Sequence, residues 1–127
     1  MGNQSNQTAE FAISETVKKF FREYMGEQAE IVTTEVVGDT IIVRFKNILS
    51  LAERYMVNDR QGGLVIKDLK EKLIEKAKPL LEALIKDLTK VDVIDIHSSF
   101  DLETDERIEV FVLSENIDSI TISKEIV

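Results

Sequence analysis

The stretch that most constrains the fold runs from Gly63 to Lys90 and reads GLVIKDLKEKLIEKAKPLLEALIKDLTK. Ile66, Leu69, Leu73, Ala77, Leu80, Leu84 and Leu88 recur at spacings of three and four, the mark of a helix with one apolar side. Ile74, Leu81 and Ile85 form a second row one position on. The stripe is therefore wider than a coiled-coil seam and suits packing across a sheet. Its 3-4-4-3-4-4 spacing is an eleven-residue period, which keeps the stripe nearly straight. At about 1.5 Å per residue such a helix spans roughly 40 Å. The opposite side is charged, with Asp68–Lys72 and Glu82–Lys86 as acid-first i,i+4 pairs. Pro79 removes an amide donor and crowds the carbonyl of Glu75, so a kink or a split into two helices is expected there.

The remaining elements can be placed around this helix. Residues 1–7 are polar and are expected to be disordered. Thr8 can cap a helix that runs to about Met25 and ends at Gly26. Ile13, Val17, Phe20 and Tyr24 form its expected buried face, with Phe21 and Met25 beside it. The period then changes to two. Val32, Thr34 and Val36, then Ile41, Val43 and Phe45, alternate on either side of Val37-Gly38-Asp39-Thr40. Glycine at the first central position suits a two-residue type II′ turn. That turn sets Val36 opposite Ile41, Thr34 opposite Val43 and Val32 opposite Phe45, all on one face. Glu35 and Arg44, on the other face, are expected to pair across the strands.

Ser50 and Glu53 form a capping box, opening a short helix to about Asn58 with Tyr55 and Met56 as apolar anchors. Asp59-Arg60-Gln61-Gly62-Gly63 reads as a flexible loop. After the long helix, Val91–Phe100 is a strand with Ile94, Ile96 and Phe100 on one face and Asp95, His97 and Ser99 on the other. Arg107–Leu113 follows, with Ile108, Val110 and Val112 on one face and Phe111 and Leu113 on the reverse. The fold expected is a two-layer α+β domain over residues 8–114. An antiparallel sheet of about four strands, in the order α-β-β-α-α-β-β, packs against the Pro-kinked helix. Residues 115–127 form an acidic tail, either disordered or a short strand carrying Ile120 and Ile122.

Composition enters mainly as exclusion. The chain has 127 residues, no cysteine and one histidine, His97. Disulfides, thiolate zinc sites, cysteine nucleophiles and multi-histidine metal sites are excluded within one chain. No apolar run approaches the ~18 residues that span a bilayer. The N-terminal residues lack the basic and apolar regions of a signal peptide, so a cytoplasmic location is expected. Net charge is −8. Residues 91–127 carry 2 basic and 10 acidic side chains, against 7 and 5 over residues 63–90. Nucleic acid is a poor partner for such a surface.

No constellation points to catalysis. The Gly62-Gly63 turn lacks the glycine and lysine spacing of a P-loop. Asp101, Glu103 and Asp105 alternate in a loop that lacks the glycine and distal glutamate of a calcium hand. His97 beside Asp95 and Ser99 makes a polar cluster, into which Arg107 is also placed, but no nucleophile or second base accompanies it. No enzyme, cofactor or metal is therefore expected. Phe21, Met25, Phe111 and Leu113 exceed what a small two-layer core needs, and open sheet edges need cover. A homodimer using these four residues is the expectation.

The order of these features resembles the small bacterial MpsC-like domain family over roughly residues 10–113. The matching points are Val43-Arg44, Leu49-Ser50 with Glu53, Pro79, Thr104, Glu106-Arg107 and Phe111. Three positions depart from the family pattern. Gly26-Glu27-Gln28-Ala29 stands where the family tends to have Gly-x-Gly-Pro, Ser99 stands for Asp, and Asp105 for Gly. The resemblance implies a link to a sodium-translocating, membrane-potential-generating system, with neighbours implicated in inorganic-carbon uptake. It brings no catalytic residues. The function expected is a non-enzymatic cytoplasmic accessory or interaction domain, acting through a membrane transporter subunit rather than by inserting in the bilayer. The alternative is a small-molecule or ion sensor using a pocket between sheet and helix.

Overall fold

A computed structural model describes residues 3–117. The elements follow as α1 (Asn3–Met25), β1 (Ile31–Val37), β2 (Thr40–Lys46), α2 (Leu51–Met56), α3 (Arg60–Thr89), β3 (Val93–Asp101) and β4 (Glu106–Leu113). The strands make one antiparallel sheet in the order β1-β2-β4-β3. One face of that sheet is covered by helices, α1 over β1 and α3 over β3, side by side. The α+β architecture and element order are those expected. The tail strand around Ile120 and Ile122 lies outside the described residues.

The β1–β2 hairpin forms in the register that its turn dictates, with Val36 opposite Ile41, Thr34 opposite Val43 and Val32 opposite Phe45. Gly38 has φ +62 while Asp39 keeps a negative φ, as a type II′ turn requires. Arg44 sits opposite Thr33 and Glu35 opposite Ile42, so the expected Glu35–Arg44 pair is only diagonal, and no ion pair joins the two among the described residues.

Elsewhere the structure corrects the reading. α1 begins at Asn3 rather than Thr8, so a helix replaces most of the disorder expected over residues 1–7. Its Tyr24 is exposed, and Phe21 and Met25 take the buried positions instead. Phe111 and Leu113 are buried too, because the helix-covered face of β4 is Arg107, Glu109, Phe111 and Leu113. Ile108, Val110 and Val112 lie half-buried on the open face. All four residues assigned to a dimer surface are thus core of a single chain. A bulge between Val93 and Asp95 turns Ile94 out to solvent, away from Ile96 and Phe100.

α3 is one unbroken helix through Pro79. Pro79 and Glu75 lie on its exposed side, where water can take the freed Glu75 carbonyl. Its core row is Ile66, Lys70, Ile74, Ala77, Leu81, Ile85 and Leu88: three members of the first expected row, all three of the second, and a lysine. Leu69 and Leu80 are exposed. Lys70, second in that row, is its one charged member.

Gly62 and Gly63 are in the first turn of α3 rather than in a loop. Asp59 caps that turn by accepting a hydrogen bond from the Gly62 amide at 2.7 Å. Gly62 is needed for close approach, since a Cβ there would overlap the backbone carbonyl of Met56 at the end of α2. A Cβ on Gly63 would meet only Leu102 Cδ1 at 3.6 Å. The two adjacent glycines therefore have opposite expected responses. Gly62→Ala destabilises the domain by about 1–3 kcal/mol through overpacking. Gly63→Ala stabilises it by up to about 1 kcal/mol through helix propensity. Urea denaturation of the two variants checks the difference in sign.

Candidate functional site

The most unusual feature of the molecule is a group of charged side chains in its core. Gly26, at φ +68, reverses the chain after α1, and the Glu27 amide returns to the Phe21 carbonyl at 3.1 Å. This turn directs the Glu27 carboxylate inward, where it is 1% exposed. It meets Arg107 from β4 in a two-point contact, Nε to Oε1 at 2.9 Å and Nη2 to Oε2 at 2.8 Å. Arg107 Nη1 donates to Glu109 Oε2 at 2.9 Å, and Ser98 Oγ of β3 bonds Glu109 Oε1 at 2.6 Å. Lys70 of α3 pairs with Glu27 at 3.1 Å and with Glu53 of α2 at 3.2 Å. Glu53 does double duty, since its carboxylate also closes the capping box on the Ser50 amide. The rings of Phe21 and Phe100 lie 5.0 and 5.6 Å from the guanidinium carbon.

Every member of the group has a partner; no buried side-chain nitrogen or oxygen among the described residues lacks one. Burial opposes the charged form of Arg107, but Glu27 and Glu109 outweigh it and hold the guanidinium above its ordinary pKa. Burial pushes the Glu109 carboxyl up, and Arg107 and Ser98 only partly offset this. Burial also raises Glu53, yet the Ser50 amide and Lys70 bring its net shift below the ordinary value. With three carboxylates against two cations, Glu109 is where the surplus negative charge is least tolerated.

Between α3 and β3 a cleft of about 220 Å³ opens beside the group. It is lined by Lys67, Lys70, Glu71 and Ile74 of α3, Ser98, Ser99 and Phe100 of β3, and Arg107. The polar cluster expected from sequence is divided by the sheet. Asp95, His97 and Ser99 alternate on the open face, where His97 Nε2 lies 3.1 Å from Asp95 Oδ2 and both are well exposed. Arg107 points the other way into the core. The Asp101 loop is a local turn in which Asp101 Oδ1 accepts from the Glu103 and Thr104 amides. No group of three or more His, Asp or Glu side chains converges to hold a metal among the described residues.

The family model described as "Na+-translocating membrane potential-generating system (MpsC)" matches residues 5–115, nearly the whole described domain. The chain belongs to the MpsC family. An uncharacterized protein of Bacillus subtilis (strain 168), YbcI, is 30% identical over 115 residues, which cover 91% of this chain and 93% of the relative. No solved structure matches. Two residues of this MpsC chain acquire structural meaning. Glu27 stands in the turn after the first helix and enters the core. Asp105 has φ +56, a conformation that favours glycine. Its carboxylate instead binds the Ile48 and Leu49 amides, both at 2.9 Å.

Sequence reasoning named Arg107 and Glu53 but missed Glu27, Lys70 and Glu109. A signal existed: Arg107 and Glu109 share a strand face with Phe111 and Leu113, and Lys70 falls four residues from both Ile66 and Ile74. Two outcomes follow. Arg107→Leu, which strips Glu27 and Glu109 of their main partner, costs about 3–5 kcal/mol of unfolding free energy. Glu109→Gln keeps the shape and the bond from Arg107, now to the amide oxygen, while its amide nitrogen donates to Ser98 Oγ instead of accepting from it. Because burial holds the folded carboxyl of Glu109 above its ordinary value of 4.5, its contribution is full below that value and fades as pH rises through the folded value. The variant therefore gains stability relative to the parent from about pH 4.5 upward. A pH series of urea melts tests this, and a pH-independent difference contradicts it.

Proposed function

We propose that this MpsC-family chain is a non-enzymatic accessory domain that docks a protein subunit of a membrane ion-transport system through the outer face of its helical layer. The observation that carries this reading is an apolar strip that the core leaves outside. Leu51 and Tyr55 of α2 are 78% and 77% exposed, and Met56 beside them is also open. Tyr55 and Met56 share a concavity with Val65 at the start of α3. From Val65 the strip continues along α3 as Leu69 and half-buried Leu73 at i,i+4 spacing, and two turns further on as Leu80 and half-buried Leu84. It ends at a groove where Leu84 meets Phe20 and Tyr24 of α1, with Lys18, Lys19 and Arg22 around it. A helical layer that covers only its own sheet has no use for so long an apolar row, and such strips mark interaction sites.

The family name supplies the membrane system. Among the described residues no helix is long and apolar enough to cross a membrane, so this reading puts the contact on a protein subunit. Leu69→Glu with Leu80→Glu tests it. Both positions are exposed, so stability stays within about 0.5 kcal/mol per substitution. Tagged protein is incubated with detergent-solubilised membranes of the native host. The expected result is an integral membrane subunit that is captured by the parent chain, lost with the double variant, and bound again when both partners are purified. Capture of nothing, or equal capture by both chains, overturns the reading.

A further inference from the structure

The sheet that the helices cover on one side is open on the other. Its central strands β2 and β4 turn Ile42, Ile108, Val110 and Val112 outward, with Ile42 directly opposite Val110. β4 alternates against the habit of a strand with one wet face. Arg107 and Glu109 are buried, and the aliphatic residues between and after them face out. A face left to water carries polar residues at such positions. Here the polar side chains stand around the aliphatic group, among them Glu35, Arg44, Lys46, Asp95, His97 and Glu106. An apolar centre with a polar rim is the anatomy of a protein interface. We infer that a second copy of this chain covers the open face, the two sheets packing face to face about a two-fold axis that runs parallel to the strands between β2 and β4.

Charge complementarity selects the occupant and the axis. A two-fold interface sets each residue over its symmetry-related position, so a surface that fits its own copy must match itself. Sheets stacked in this way keep their strands within about 30° of one another, which leaves the axis along the strands or across them. With the axis along the strands, β2 lies over the partner's β4 and β1 over the partner's β3, row for row. Ile42 then meets the partner's Val110, Glu35 the partner's His97, and Lys46 the partner's Glu106. Lys46 and Glu106 are cross-strand neighbours within one chain, 3.8 Å apart and open to solvent. Stacked on their copies, they complete a square of alternating charge. With the axis across the strands, each strand lies over its own copy with the rows reversed. Asp95 then approaches the partner's Asp101, and Arg44 sits on the partner's Ile42. Like charges opposed in that way select against the second arrangement.

The residues of this interface are not Phe21, Met25, Phe111 and Leu113, which are core. The inference does not rest on the docking reading, whose strip lies on the outer side of the helical layer.

The test is sedimentation equilibrium of the full chain over about 1 µM to 1 mM, which brackets weak and moderate interfaces. The parent is expected to pass from monomer to dimer within that range. Lys46→Glu and Glu106→Lys each surround the axis with like charge, and each weakens the dimer about tenfold or more. Mixed in equal amounts, the two variants restore it, because each then faces the charge it lacks. That rescue separates an interface from a damaged fold. Val110→Thr keeps the side-chain shape but places a hydroxyl that is wet in the monomer and dry in the dimer, and weakens association about tenfold. Leu69→Glu with Leu80→Glu, on the helical layer, leaves association unchanged. Any of four results overturns the inference. These are a parent that stays monomeric throughout the range, single variants at Lys46, Glu106 or Val110 that dimerise as the parent does, a mixture without rescue, or loss of the dimer in the Leu69 and Leu80 double variant.

Discussion

A guanidinium in a protein core is tolerable only where fixed carboxylates replace its water, and that requirement governs this domain. Arg107 is 1% exposed, and its bonds reach Glu27 and Glu109. Glu27 comes from the turn after α1, and Lys70, which shares it, brings in α3 and through Glu53 also α2. Ser98 ties β3 to the same group through Glu109. Each of these elements must be in place before every charge has its partner. The desolvation of so many charges offsets much of their mutual attraction, so the group is better seen as a device of registration than as a source of stability. The apolar part of the core, around Phe21, Phe45, Ile41, Val43, Leu81, Ile85 and Phe111, supplies the favourable burial.

The same constraint shapes the surface. Lys70 lies in the row that α3 turns to the sheet, between Ile66 and Ile74. Leu69 and Leu80 lie outside that row and are exposed, and Leu73 and Leu84 are left half-covered. α3 thus presents three chemistries around its circumference: an outward apolar strip, a buried row with a lysine in it, and a charged flank beside the cleft.

Much of the local structure was legible in the residues. Gly38 at the first central turn position determined the hairpin register. Ser50 and Glu53 determined the capping box. The three-and-four spacing determined one long helix. Asp105 shows where legibility ends. Its acidic loop was readable as a solvated turn, but not its left-handed backbone or its grip on the Ile48 and Leu49 amides, which lie more than fifty positions away in the chain.

What the sequence determined by itself is whatever depends on neighbours within a turn or two: periods, caps, tight turns, and through them the α+β order. Only the tertiary structure decided which face of each element is inside. Burial of a charged side chain depends on partners brought from afar, and Glu27 and Arg107 are 80 residues apart. A pattern rule that assigns lysine, arginine and glutamate to the surface put Phe111 and Leu113 on the wrong side of their strand. It also left Lys70 out of the buried row of α3. Where opposite charges compensate one another across the fold, hydropathy along the chain no longer reports which way a side chain points.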